Sequence, residues 1–192
     1  MSNTANRILV VGPAWVGDVV MSQSLYMTLR WTNRNVRIDI LAPPWSQPIL
    51  ERMPEVHRII CIPVGHGQLG FSKSREPAKS LWRERYDQAI ILPRSLKSAL
   101  IPFLARIPRR TGYRGEMRYG LISDMRKLDE AVLTQTVQRY VALGLEPDDT
   151  LPPSRIPQPR LLVVQTNRNR LINKRVDKDA AQKACCASHP HR

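Results

Sequence analysis

The sequence predicts an α/β domain built on a mainly parallel sheet. Short β-branched runs recur along the first hundred residues, and each run stops at or beside a Gly or Pro residue. Stretches with helical periodicity or polar, helix-compatible composition lie between these runs. Alternation of this kind is typical of βαβ units, in which helices join parallel strands. Because ligands of such sheets bind at the carboxyl ends of the strands, the residues that follow each strand are candidates for a functional site.

The first βα unit lies at the start of the chain. Arg7–Val11 (RILVV) is predicted to be a buried strand, because it is a short β-branched run that ends at a Gly-Pro pair. Apolar residues then recur at every fourth position, which predicts an amphipathic helix over 19–31. We expect Arg7–Val11 to be the central strand, flanked by the next strand, 36–42.

The later elements repeat the same pattern. Further strands are predicted at 58–63 and 87–92, and helices at 46–52, 76–85 and 95–105, with 65–70 (GHGQLG) as a loop. The carboxyl-end segments that this pattern brings together are 12–18, 43–47, 63–67 and 93–98.

Composition and net charge narrow the classes of partner that the protein can bind. The chain has 192 residues, which suits one domain or two small ones, and 30 Lys+Arg against 16 Asp+Glu give a net charge of +14. A strong positive field favours nucleic acid, phosphorylated substrates or an acidic membrane surface. No apolar run reaches the ~18 residues of a spanning helix, and no secretory signal is expected. The three cysteines form no disulfide framework, which favours a reducing, cytoplasmic compartment.

The charge is concentrated near the end of the printed sequence. We expect residues 1–150 to form the domain, 151–164 to be a Pro-rich linker with a short apolar run, and 165–192 to be a basic, irregular tail. Cys185, Cys186, His189 and His191 lie in that tail, but adjacent cysteines chelate one ion poorly, and no metal site is expected.

The first strand-to-helix loop, 12–18 (GPAWVGD), has the glycine spacing of a phosphate-binding P-loop. Asp18 and Val19 stand where that motif needs Lys and Ser or Thr, which argues against an NTPase. Asp18 itself has two compatible interpretations. It is the N-cap of the following helix, a catalytic base that projects from the carboxyl end of the strand, or both.

Four long segments carry a family resemblance: ILVVGPAWVGDVVMSQSLYMTLR, IDILAPPWSQPILERMPEV, PVGHG, and YDQAIILPRSLKSALIPFLARIPRRTGYRGEMRYGLISD. They resemble the N-terminal half of the heptosyltransferases of glycosyltransferase family 9, from about residue 7 to about residue 164. The resemblance implies a GT-B architecture, in which two Rossmann-like domains face each other and this chain supplies the acceptor-side domain.

The resemblance also implies a reaction. These enzymes transfer heptose with inversion from ADP-heptose to the core heptose of lipopolysaccharide, without a metal or other cofactor. Asp18 falls on the family's proposed general base. The implied partners are a lipid A–Kdo–heptose acceptor and, only where a donor domain is present, ADP-heptose. The implied location is cytoplasmic, peripheral at the inner face of the cytoplasmic membrane, with no specific nucleic acid.

A basic cluster around RIPRRTGYRGEMRYG is expected to bind the acceptor's phosphates and Kdo carboxylates, although a solvated surface is the alternative. The acceptor-binding candidates are Gly17, Lys97, Arg110, Arg114 and Arg118, and Arg106 and Arg109 belong to the same cluster. Tyr113 and Tyr119 either stack on sugar rings or pack. Trp15 and Trp45 either line the cleft or pack, and His66 is either a substrate contact or a plain loop residue.

Two departures from the family pattern stand out. Arg94 occupies a position of the PRSLKSAL segment where relatives commonly have Asn, which alters the loop at the cleft. The chain is also shorter than family enzymes, so we expect a truncated polypeptide with no donor-binding residues and no activity alone. The alternatives are a basic nucleic-acid-binding protein and a nonfunctional remnant.

Overall fold

A computed structural model describes residues 6–62 and 71–162, and in this part of the chain six parallel strands form one sheet. The strands are β1 (Arg7–Val11), β2 (Arg37–Ala42), β3 (Val56–Cys61), β4 (Gln88–Ile91), β5 (Arg109–Tyr113) and β6 (Asp124–Arg126). The helices are α1 (Val16–Thr32), α2 (Gln47–Leu50), α3 (Phe71–Arg83), α4 (Leu96–Leu104) and α5 (Thr136–Leu143), with a 3₁₀ turn at Pro44–Ser46. These elements belong to one compact unit, which spans Met1–Arg160.

The strand order is β3-β2-β1-β4-β5-β6, which confirms the expected α/β, Rossmann-like fold with β1 inside the sheet and flanked by β2. Helices α3 and α4 pack together on one face, and α1 and α5 pack together on the other. Leu9 and Val10 point to opposite faces and are both fully buried. Burial on both faces explains why β1 reads as a continuous apolar run rather than an alternating one.

The sequence located the first four strands to within two residues at each boundary and missed three later elements. Strands β5 and β6 and helix α5 were not predicted, because RRTGY and DMR contain few apolar residues. Arginines in these two strands form ion pairs with acidic side chains. Arg109 pairs with Asp124 at 3.3 Å and with Glu146 at 2.9 Å, and Arg126 pairs with Asp124 at 3.3 Å.

Helix α1 begins at Val16, three residues earlier than predicted, and this changes the position of Asp18. Trp15 is the N-cap, with an extended backbone and no side-chain capping bond. The interpretation of Asp18 as the N-cap is therefore wrong. Asp18 lies in the first turn instead, where the unpaired N–H groups and the helix dipole favour a negative charge.

The first part of the Pro-rich stretch, predicted to be a linker, packs along α1. Gln23 is fully buried, and its side-chain amide accepts from the backbone N–H of Arg160 and donates to the Arg160 carbonyl, both at 2.8 Å. Ser24 donates to the Pro157 carbonyl at 2.7 Å. The Arg155 guanidinium lies 4.1 Å from the centre of the Trp31 ring. These contacts give α1 partners for polar side chains that would otherwise be buried without them.

A polar network holds the amino-terminal part of the sheet to the end of α3. Asp39, in the middle of β2, is 2% exposed, and its carboxylate accepts from the Tyr86 hydroxyl at 2.6 Å. The same carboxylate contacts His57 Nδ1 at 2.9 Å and Arg58 Nε at 3.4 Å. Burial, and then the hydrogen bond to Asp39, raise the pKa of Tyr86, so its hydroxyl remains a donor. Glu84 completes the network, and hydrogen bonding to Arg58 lowers its pKa.

Tyr86→Phe should lower the free energy of unfolding by about 1–3 kcal/mol, because the buried Asp39 carboxylate loses its shortest donor. Urea unfolding of both proteins measures the difference. Tyr119→Phe is the matched control, since Tyr119 is 59% exposed, and it should change stability by less than about 0.5 kcal/mol. Equal effects of the two substitutions would contradict the assigned role of the network.

Candidate active site

The carboxyl ends of the strands bring several loops to one edge of the sheet. Strand order reverses between β1 and β4, because β2 follows on one side of β1 and β4 lies on the other. In open parallel sheets a crevice forms at this point, outside the carboxyl ends of the two strands. The segments at this edge include 12–15 after β1, 43–46 after β2, 92–95 after β4 and 114–123 after β5. The structure thus gathers three of the four predicted segments, and the fourth, 63–67, lies outside the described residues.

Asp18 stands at this edge, partly exposed, in the first turn of α1. Helix α5 packs against α1 and brings Tyr140, which is 9% exposed, to the Asp18 carboxylate. Burial raises the pKa of Tyr140, and the charge of Asp18 and a hydrogen bond to its carboxylate raise it further. Tyr140 therefore remains protonated and supplies a hydroxyl donor beside Asp18. Sequence reasoning missed Tyr140 because α5 itself was not predicted.

The loop before Asp18 is open to solvent. Gly17 is exposed, and a Cβ added there would meet no atom within 4 Å. Trp15 is 77% exposed and Trp45 is 44% exposed, so neither is packed in the core. Their exposure argues against the interpretation in which they pack in the core, and a place along the acceptor cleft stays a prediction.

Some side chains of the predicted basic cluster are exposed to solvent, whereas others are held by contacts within the protein. Lys97, in the first turn of α4, and Arg114, directly after β5, are both exposed. The Arg114 guanidinium lies 5.8 Å from the centre of the Tyr119 ring, which is itself 59% exposed. Lys97, Arg114 and Tyr119 therefore present cationic and aromatic surface at the carboxyl edge.

Arg110 is only partly available. Its guanidinium donates to the Leu121 carbonyl at 2.6 Å and to the Ile107 carbonyl at 2.5 Å, and it lies 5.5 Å from the centre of the Phe103 ring. Burial lowers the pKa of Arg110. These backbone contacts hold the start of β5 to the chain on either side of it.

Arg118 is 1% exposed, which corrects its expected place on an acceptor-binding surface. One terminal nitrogen donates to the Pro93 carbonyl at 2.7 Å, and the other donates to the Tyr113 carbonyl. Burial lowers the pKa of Arg118. Arg114 and Arg118 are only four positions apart, yet one side chain faces solvent and the other is enclosed.

The remaining candidates are placed as follows. Arg109 pairs with Asp124 and Glu146, and Arg106 is exposed directly beyond α4. Tyr113 packs rather than stacks, since it is 5% exposed and burial raises its pKa to about 12. The Arg94 side chain is more than half exposed, with Nη1 3.9 Å from Glu130. His66 and the four Cys and His residues of the tail lie outside the described residues.

The described ranges, 6–62 and 71–162, contain neither a metal-binding cluster nor a membrane-spanning helix. No group of three or more His, Cys, Asp or Glu residues there is placed to hold a metal ion. No helix within the same ranges has both the length and the apolar character needed to cross a membrane.

Comparison with known proteins identifies the family of this chain. The sequence profile of glycosyltransferase family 9 (heptosyltransferase) matches residues 75–188, more than half of the chain. The chain therefore belongs to glycosyltransferase family 9. The profile match continues past residue 164, where the resemblance was expected to end.

Particular relatives agree with the family assignment. The chain is 50% identical over 155 residues to lipopolysaccharide heptosyltransferase 2 of Escherichia coli K12, and it covers 44% of that protein. It is 52% identical over 155 residues to the protein of the same name from Salmonella typhimurium LT2, again covering 44%. In both comparisons 81% of this chain is aligned. The chain thus spans less than half the length of these curated relatives.

A solved structure supports the fold. The structure of the Escherichia coli ADP-heptose lipopolysaccharide heptosyltransferase II superposes with a TM-score of 0.75 at 43% sequence identity. The match covers 88% of this chain and 50% of that one.

Arg118→Met should lower the free energy of unfolding by about 1–3 kcal/mol, because the carbonyls of Pro93 and Tyr113 lose a buried donor. Arg114→Met removes the same charge from an exposed side chain and should change stability by less than about 0.5 kcal/mol. Urea unfolding measures both variants. Similar losses in the two would contradict the division of the cluster into exposed and structural arginines.

Proposed function

We propose that this chain is the acceptor-side part of a lipopolysaccharide heptosyltransferase, which transfers heptose from ADP-heptose to the core heptose. The observation that carries the proposal is the position of Asp18, a partly exposed carboxylate at the carboxyl edge of a family 9 sheet where strand order reverses. The names of its relatives support the reaction class.

In the proposed step, Asp18 is the general base. Its carboxylate takes the proton of an acceptor hydroxyl while that oxygen attacks the anomeric carbon of the donor heptose. The new bond joins the acceptor oxygen to the anomeric carbon. The bond from that carbon to the diphosphate breaks, and ADP leaves with the bonding electrons. Two features support this assignment: Asp18 lies in the first turn of α1, where the helix dipole favours a negative charge, and the Tyr140 side chain lies beside it.

We assign acceptor binding to the exposed part of the basic cluster. Lys97 and Arg114 carry charges that suit the phosphates and Kdo carboxylates of a lipid A–Kdo–heptose acceptor, and Arg binds such groups bidentately. Tyr119 offers a ring face for a sugar, and Gly17 leaves space for a substrate beside Asp18. Arg110 contributes only through whatever part of its guanidinium the backbone carbonyls leave unbound.

The same proposal includes a location and a division of labour. A lipid-linked acceptor and a net charge of +14 suit peripheral association with the acidic inner face of the cytoplasmic membrane. We expect groups that grip ADP-heptose to come from the portion of the relatives that this chain does not match. In the family they would form the second domain of a GT-B enzyme, and the transfer would need no metal.

Asp18→Asn should reduce kcat by ~10²–10⁴-fold and leave KM for the acceptor nearly unchanged, because it removes the base but keeps the shape. The assay combines this chain with the separately expressed C-terminal half of the Escherichia coli relative and measures ADP release. The chain alone should show no transfer. Asp148→Asn, at an exposed carboxylate beyond α5, is the matched control and should keep full activity. An Asp18→Asn rate within a few fold of wild type would rule out the general-base role.

Lys97→Ala and Arg114→Ala should each weaken binding of a de-acylated lipid A–Kdo–heptose acceptor about 5–10-fold, since each removes a charge-assisted hydrogen bond. Calorimetric titration of the 192-residue chain measures the affinities, and the loss should shrink at high salt because these side chains are exposed. Arg34→Ala provides the control, because Arg34 is an exposed arginine beyond the far end of α1. Equal weakening by all three substitutions would mean that only overall charge matters.

A further inference from the structure

Two loops at the carboxyl edge are joined by contacts that the proposed reaction does not use. The first loop, 92–97, leads from β4 into α4, and the second, 114–120, follows β5. The backbone N–H of Glu116 donates to the Arg94 carbonyl at 3.2 Å. In the other direction, the N–H of Leu96 donates to Glu116 Oε2 at 2.9 Å. We call these two loops and the contacts between them the loop clasp.

Glu116 acts on the start of α4. Leu96 is the first residue of that helix, so its N–H lacks a partner within the helix. The hydroxyl of Ser95, the N-cap, accepts from the N–H of Ser98, and the Glu116 carboxylate supplies an acceptor for Leu96 from another loop. A carboxylate at this end of a helix is also favoured by the helix dipole.

The buried side chain of Arg118 also connects these loops. Its guanidinium contacts the Pro93 carbonyl in the first loop and the Tyr113 carbonyl at the end of β5. Its Nε is buried without a hydrogen-bond partner, which costs free energy. The planar fork of the guanidinium lets this one side chain donate to both carbonyls at once.

Gly115 allows the loops to approach this closely. A Cβ added at Gly115 would lie 2.3 Å from the Arg94 carbonyl oxygen and 2.9 Å from the Arg94 Cβ. Since the first of these is a backbone atom, any other residue would push the loops apart. The close approach, the Glu116 bonds and the Arg118 fork therefore act at the same junction.

We propose that Glu116 and Arg118 are positioning residues, which hold Lys97 and Arg114 in one arrangement for an anionic acceptor. Lys97 lies in the helical turn that Glu116 fixes, and Arg114 lies between the Tyr113 carbonyl and Gly115. The role in acceptor binding rests on the proposed function. The joining of the two loops does not depend on that function.

Hydrogen exchange of the 192-residue chain tests the clasp directly. Glu116→Ala changes an exposed side chain, so the protein should fold, and exchange should rise at least about 10-fold in both 96–98 and 114–120. Exchange in β1 and β2 should not change. Glu116→Gln keeps an acceptor for the Leu96 N–H and should restore most of the protection. Gly115→Ala should open the same two segments.

Glu130→Ala is the matched control, because Glu130 is an exposed carboxylate 3.9 Å from Arg94 that takes no part in the clasp. It should leave exchange in both loops unchanged. A rise confined to one loop after Glu116→Ala, or an equal rise after Glu130→Ala, would overturn the proposal.

Acceptor affinity tests the positioning role. The probe is de-acylated lipid A–Kdo–heptose, which Glu116→Ala should bind about 10-fold more weakly and Glu116→Gln with nearly wild-type affinity. Raised exchange with unchanged affinity would overturn the positioning role. If the wild-type chain itself did not bind the probe, the proposed acceptor function would fail, and the exchange comparison would still decide whether the two loops are joined.

Discussion

The parallel pairing of β1 with β2 on one side and with β4 on the other is the constraint on which the candidate site depends. Val10 stands opposite Ile40 and Ile90 in these two ladders, and all three side chains are fully buried. Because both neighbours run parallel to β1, their carboxyl ends meet at one edge, and their connections diverge to opposite faces. That divergence leaves room beside the first turn of α1, where Asp18 lies.

Charged side chains are buried at one end of the sheet and exposed at the other. At the amino-terminal end, Asp39 and Tyr86 are enclosed and fully engaged with one another, so charge there serves stability. At the carboxyl end, Lys97 and Arg114 are exposed to solvent. The buried side chain of Arg118 connects the two loops that carry them. A substitution in the first region should therefore alter folding, whereas one among the exposed charges should alter recognition.

Local sequence signals were sufficient where apolar burial decides the structure. RILVV is buried on both faces, and its boundaries are confirmed to the residue. They were insufficient where distant partners decide it. RRTGY forms a strand in which Arg109 makes ion pairs with Asp124 and Glu146, and neither partner is adjacent in sequence. Spacing cannot tell buried Arg118 from exposed Arg114, and the contact of Tyr140 with Asp18 depends on how α5 packs against α1.

The amide of Gln23 pairs with the backbone of Arg160 much as a neighbouring strand would. This pairing affects where the chain can be cut without loss of contacts to α1. A version of the chain cut at residue 150 would keep every strand and helix of the described residues, but Gln23 and Ser24 on α1 would lose their backbone partners at Arg160 and Pro157. The residues from Pro157 to Arg160 are thus part of the folding unit although they form no helix or strand. A gene that exchanged its second half with a relative would tolerate the crossover after Arg160 better than before it.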